Sequence, residues 1–183
     1  MTNPIHANAN KAIDPPRGDA TEVVSRLREI EQVVQVRGHF ERSPTVPDAQ
    51  LHVDVGQPQV SFGLEGLKLT VVIEFSMTIG STPPSAIAKV SEPAPAAMSS
   101  TVPSVVEVGA VFVAVYLLHS GETLKQEDLH AFATENGLFN VWPFWREFVA
   151  NGLLRSGMPV FLMPPFRLGT NPSQATENVV SAT

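Results

Sequence analysis

The chain reads as an α+β domain in which an antiparallel sheet comes first and helices then cover one of its faces. Three observations carry this. Segments with β-branched residues and period-two alternation fill residues 34 to 118, apolar residues at helical spacing fill 124 to 156, and a Pro-, Ala- and Ser-rich stretch interrupts the strands. At 183 residues there is room for one domain with tails, large enough to bury about two-thirds of its unfolded surface.

The elements follow in order. The opening MTNPIHANANKAIDPPRGD lacks the apolar core of a signal peptide and reads as a disordered arm, residues 1–19. From Ala20 to Ile30, Val23, Val24, Leu27 and Ile30 recur at helical spacing, with Asp19 or Thr21 as N-cap, which predicts a short amphipathic helix. Val34 and Val36 alternate with Gln35 and Arg37, and the alternation runs on through Gly38 and Phe40, predicting a strand with a bend or bulge at Gly38. Leu51, Val53 and Val55 share a strand face, and the extended region continues through Val60, Phe62 and Leu64, with Pro58 marking an edge or a break. Glu65-Gly66 is a turn, and Leu67 to Ile79 is the clearest strand. Residues 80–104 form an insert with no core of its own. Val105 to Leu118 is almost continuously apolar, which predicts a strand covered on both faces. Thr123 and Gln126 make a capping box for a helix from Leu124 to Thr134 that Asn136-Gly137 closes. The last helix runs from Val141 or Trp142 to Ser156, with Pro143 in its first turn, Gly157 as left-handed cap and Pro159 beyond. The domain spans 20–168, and 169–183 is a flexible polar tail.

Composition excludes several classes of function. The formal net charge is -6, and the 12 Lys and Arg are scattered singly, so there is no electrostatic footprint for nucleic acid or an anionic membrane. Without cysteine there are no disulfides, thiolate metal sites or Cys nucleophile. The longest apolar run, Val105 to Leu118, contains Glu107 and is too short for a bilayer, so a soluble, cytoplasmic protein is expected. His6, His39, His52, His119 and His130 lie in neither HxxxH nor HExxH spacing, and no Gly-rich loop follows a strand, so neither a metal nor a nucleotide cofactor is expected. His52 and Asp54 share a strand face as a base and its orienter could, but no motif such as GxSxG accompanies them. A hydrolase would need that pair in a pocket beside a hydroxyl, and catalysis is not expected.

Phe139 to Leu168 is the most informative stretch. On its helix Trp145, Phe148, Val149 and Leu153 form a stripe, while Phe144 and Leu154 sit off it, so the apolar arc is too wide for a helix resting on one sheet. A second surface is expected over Phe144, Trp145, Phe148, Val149 and Leu153, most economically the same helix of another protomer. Glu147 and Arg155 are either an interface pair or a solvated edge. The exit, Val160 to Leu168, combines large apolar groups with two prolines that cannot donate to a ladder. Its Phe161, Met163 and Phe166 either line an adaptable groove or cover the core.

The run Val141-Trp-Pro-Phe-Trp-Arg-Glu-Phe-Val149, then Leu154-Arg-Ser-Gly-Met-Pro159 and Leu162-Met-Pro-Pro-Phe166, resembles the SecB family of export chaperones. The resemblance is closest to the SecB-like chaperones that accompany toxin-antitoxin systems. It implies a four-stranded antiparallel sheet with helices on one face, assembled as a homotetramer, a dimer of dimers. The implied activity is ATP-independent holding of unfolded polypeptides in hydrophobic grooves, serving export of precursor proteins, protection of an antitoxin, or both. Matching positions for client binding are Val46, Phe161, Met163, Phe166 and Leu168. For docking of the translocase motor ATPase the matching acids are Glu41 and, with a gap, Glu107, while Arg37 stands where another acid is expected. The other reading is a structural adaptor of this fold with one dedicated protein partner, which would lack the breadth of a holdase.

Overall fold

The computed structural model describes residues 18–44, 50–82, 104–120 and 124–166. Nearly all of the expected N-terminal arm, the expected tail, most of the insert, and Val46, Thr123 and Leu168 lie outside the described residues. The order is α1 (Ala20–Val24), β1 (Leu27–Arg42), β2 (Gln50–Val55), β3 (Gln59–Glu65), β4 (Lys68–Thr82), β5 (Ser104–Leu118), α2 (Gln126–Phe132), a π-helical turn (Ala133–Gly137) and α3 (Leu138–Arg155).

All pairings are antiparallel, and the sheet order is β1-β5-β4-β2, with β3 also on β4. β2 and β3 lie end to end along one edge of β4, from Gln50 opposite Thr82 to Glu65 opposite Lys68. They are one broken strand, so the sheet has four strand positions. The break is Gly56-Gln57-Pro58, since Pro58 brings no N–H to the ladder. Gly66, at φ 60, and Leu67 make the two-residue loop into β4.

Alternation decides which face is the core. Leu69, Val71, Ile73, Phe75, Met77 and Ile79 of β4 are at most 3% exposed, and between them Glu74, Ser76 and Thr78 face outward. On β5 the even positions from Val106 to Leu118 are buried. Each large apolar side chain sealed in this way stabilises the fold by about 1.5–3 kcal/mol. The cover expected on both faces of β5 is complete on one face only. Outside, Val111, Val113 and Leu117 stay half-buried.

Over the inner face lies α3. Trp145 stacks on Phe75 with centroids 5.2 Å apart and planes 9° apart, and Trp142 and Phe112 meet Phe75 edge-on. Close approach to β1 depends on two bare α-carbons. A Cβ at Gly152 would lie 2.4 Å from Cδ2 of Phe40, and one at Gly38 would lie 2.9 Å from Cζ of Phe148. Ring and glycine therefore interlock in both directions.

Several expected boundaries move. The first helix ends at Val24 rather than Ile30, because Leu27 and Ile30 pair with Leu118 and Tyr116 and complete the open edge of β5. The bulge expected at Gly38 falls between Gln35 and Arg37, one of three register shifts in β1, and Gly38 stays in register with Ala110. β4 continues through Gly80 to Thr82, so the insert starts later than residue 80. The second helix starts at Gln126 rather than Leu124, with Lys125 as N-cap and no side-chain cap. Asn136-Gly137 does not close the helix. Gly137 has helical φ of -59°, is buried beside Val71, and the π turn carries the chain directly into α3, so Pro143 lies inside the helix rather than in its first turn. At the other end the expected cap forms. Gly157, at φ 68, lets its own N–H donate to the Leu154 carbonyl and that of Met158 donate to the Leu153 carbonyl, a Schellman arrangement with Leu153 and Met158 both buried.

Two outcomes follow. Trp145→Asp puts an unpaired charge into a sealed core and should cost at least about 3 kcal/mol, read as loss of cooperative unfolding in urea. Tyr116, the chain's only tyrosine, has its phenol pushed above the usual value by burial, partly offset by the Asn140 side chain donating to its oxygen at 3.1 Å. Its ionisation is easier in the unfolded chain, so stability is full below pH of about 10 and falls as pH rises beyond it. Absorbance at 295 nm should show the native phenol titrating later than the urea-unfolded one.

Candidate functional site

The last helix and its exit form the first part of the site. Val141, Trp142, Trp145, Val149 and Leu153 face the sheet, and the opposite face carries Phe139, Phe144 and Leu154, which are 51%, 43% and 66% exposed. Arg42, at the end of β1, donates to the Ser156 carbonyl and so places a cation at the negative end of α3. From Met158 the chain leaves without regular structure. Met158 and Met163 are buried, Phe161 and Phe166 are half-buried, and Val160 and Leu162 are 46% and 75% exposed. Trp142 fastens this exit: its indole N–H donates to the Pro164 carbonyl at 2.9 Å, and its ring lies 5.7 Å from that of Phe166.

These positions sort the residues singled out by sequence. Among the five expected at an oligomer interface, Trp145, Val149 and Leu153 have 0% exposure and Phe148 is half-buried, all against the chain's own sheet. Sheet burial alone accounts for those three, and they have no surface left to offer another subunit. Phe144 does. Among the described client-binding candidates, Met163 is core, whereas Phe161 and Phe166 are partly open. Sequence reasoning passed over Trp142 as a tether and Val160, Leu162 and Phe139 as exposed apolar groups. The tether could not be read from spacing, because it joins residues 22 apart through a backbone carbonyl.

The second part is the outer face of the sheet. Glu41 lies directly opposite Glu107, Glu107 opposite Thr78, and Thr78 opposite Asp54, so three exposed carboxylates and a hydroxyl form one cross-strand row. Glu41 and Glu107, like charges directly opposite one another, cost stability. Four residues along each strand, Arg37 reaches over Val111 to Glu74 at 3.2 Å, so the base standing in an acid's place is paired. Beside that pair is a shallow depression of about 350 Å³ lined by Val36, Val72, Val111, Gln59 and Ser61. His52 and Asp54 are exposed and do not line it. Among the described residues no group of three or more His, Asp or Glu is placed to hold a metal ion, and no helix is long and apolar enough to cross a membrane.

The antiparallel sheet with helices on one face matches the fold of a SecB-like chaperone. The solved structure of a Mycobacterium tuberculosis SecB-like chaperone in complex with a ChAD peptide from an antitoxin superposes with a TM-score of 0.65 at 16% identity, covering 82% of this chain and 98% of that one. No protein-family model matches the sequence, and no curated sequence is similar enough to count as a relative.

Replacing Glu107 with Lys should relieve the repulsion with Glu41 and raise stability by about 0.2–1 kcal/mol, measured as an increased urea midpoint.

Proposed function

We propose that the protein is a chaperone that holds unfolded or aggregation-prone polypeptide without ATP, against the apolar surface beside Trp142 where the exit segment leaves α3. The observation that carries this is where the exposed large apolar side chains fall. Isolated ones are ordinary on any surface, but most of these lie either on α3 and its exit (Phe139, Phe144, Leu154, Val160, Leu162) or along β1 (Ile30, Val34, Val36). Contacts of this kind are non-directional and summed along an extended chain, so they retain a client without demanding one sequence.

The two groups have different tasks in this reading. β1 is a 16-residue edge strand, and an edge of that length with exposed valines is a template for another strand. Pairing with a second copy of β1 joins two sheets. The outward face of α3 then meets its counterpart from another pair, which makes a homotetramer. The client is an antitoxin in the variant favoured here, supported by the antitoxin peptide bound to the mycobacterial chaperone of the same fold. Export precursors are the broader variant, in which the Glu41–Glu107 row would receive a basic surface of the translocase motor. The same reading has the protein working in the cytoplasm.

Light scattering without ATP, on the protein alone and mixed with reduced, alkylated lactalbumin, tests the proposal. A stable tetramer that takes up the unfolded chain is expected. An oligomer indifferent to it, but binding one native partner, would replace the holdase with a dedicated adaptor. Phe144→Asp combined with Leu154→Asp should reduce the mass to that of a dimer or monomer while the circular dichroism spectrum stays native.

A further inference from the structure

The exit segment has the character of the ligand that the proposed function requires. Residues 159–166 are apolar and form neither helix nor ladder, and Pro164 and Pro165 have no N–H to give one. Their seat is apolar, with Met163 sunk to 3% exposure and Phe161 and Phe166 packed on the same core. Among the described residues, one hydrogen bond ties the segment to the body, from the Trp142 indole to the Pro164 carbonyl, and the Phe166 ring two residues on lies against the same indole. In an extended chain, residues two apart share a face, so a carbonyl and a ring with this spacing are features that many unfolded chains can supply.

From this we infer that residues 159–166 are a displaceable strap, which rests on the holdase reading. In the empty protein the strap occupies the Trp142 seat as a client would. An arriving extended polypeptide that offers a backbone carbonyl and, two residues later, an aromatic ring takes the same donor and the same ring face, and the strap lifts. The exchange leaves the number of hydrogen bonds and ring contacts at Trp142 unchanged, so the strap keeps the seat dry at little cost to client binding. It also gives Phe166 the opposite sign from a groove-lining residue. A residue that touches the client weakens binding when removed, whereas a residue that holds the competitor strengthens it.

The experiment uses the full chain and reduced, alkylated lactalbumin as probe. Phe166→Ala should bind the probe at least about threefold more tightly than the wild type, the range one aromatic contact is worth. Since the chain has no cysteine, Leu162→Cys accepts a single spin label at an exposed strap position. Its spectrum should become more mobile with the same saturation curve as probe binding. Weaker or unchanged affinity in Phe166→Ala overturns the strap, and so does a label whose mobility stays constant at full probe occupancy. Should Phe166→Ala fail to fold, the label alone decides. A wild-type protein that does not bind the probe at all would remove the holdase reading and the strap together, while binding with an indifferent label removes only the strap.

Discussion

The structure depends on one contact, the parallel stacking of Trp145 on Phe75, because it sets how closely the last helix lies on the sheet. The two rings meet at the centre of the inner face, with Trp142, Phe112 and Phe148 around them. A ring the size of indole cannot be buried there unless the helix is lowered onto β1, and the bare α-carbons of Gly38 and Gly152 permit that. The indole N–H of Trp145 finds no partner among the described residues, an expense of about 1–3 kcal/mol that the gain in packing has to exceed.

Once the helix is seated, its opposite face is committed to solvent or to another molecule. Phe139, Phe144 and Leu154 project from it, and the Schellman turn at Gly157 directs the exit back over Trp142 instead of away from the domain. One element thus serves two purposes. Its inner stripe makes the fold, and its outer stripe together with the exit makes the surface on which the functional reading rests. The sheet divides its labour similarly, with a sealed inner face and an outer face whose carboxylate row is assembled from three strands.

Much of this was legible from the residues. The strands from β2 to β5 follow alternation and β-branching closely, and Pro58 marked its break correctly. Gly157 announced its cap because only a residue without Cβ accepts that turn cheaply. Legibility failed where tertiary pairing overrode a local period. Val23, Val24, Leu27 and Ile30 satisfy a helix, yet a register shift between Leu27 and Glu29 sets Leu27 and Ile30 opposite Leu118 and Tyr116, and the free edge of β5 decided for the strand. Asn136-Gly137 has the chemistry of a helix stop, but the burial of Gly137 against β4 outweighed it and left a π turn.

By itself, then, the sequence determined the class of fold, the order of its elements, the absence of thiol chemistry, and a broad apolar helix followed by a proline-bearing exit. These are local properties, written in periodicity and in the backbone limits of glycine and proline. Only the tertiary structure decided which side of that helix is core and which is surface, that Met163 is interior while Leu162 is bare, that Glu41 faces Glu107, and that Trp142 holds Pro164. Each of those depends on strand register and on contacts between residues far apart in the chain, and a single residue's shift in register would turn every side chain of a strand to the other face.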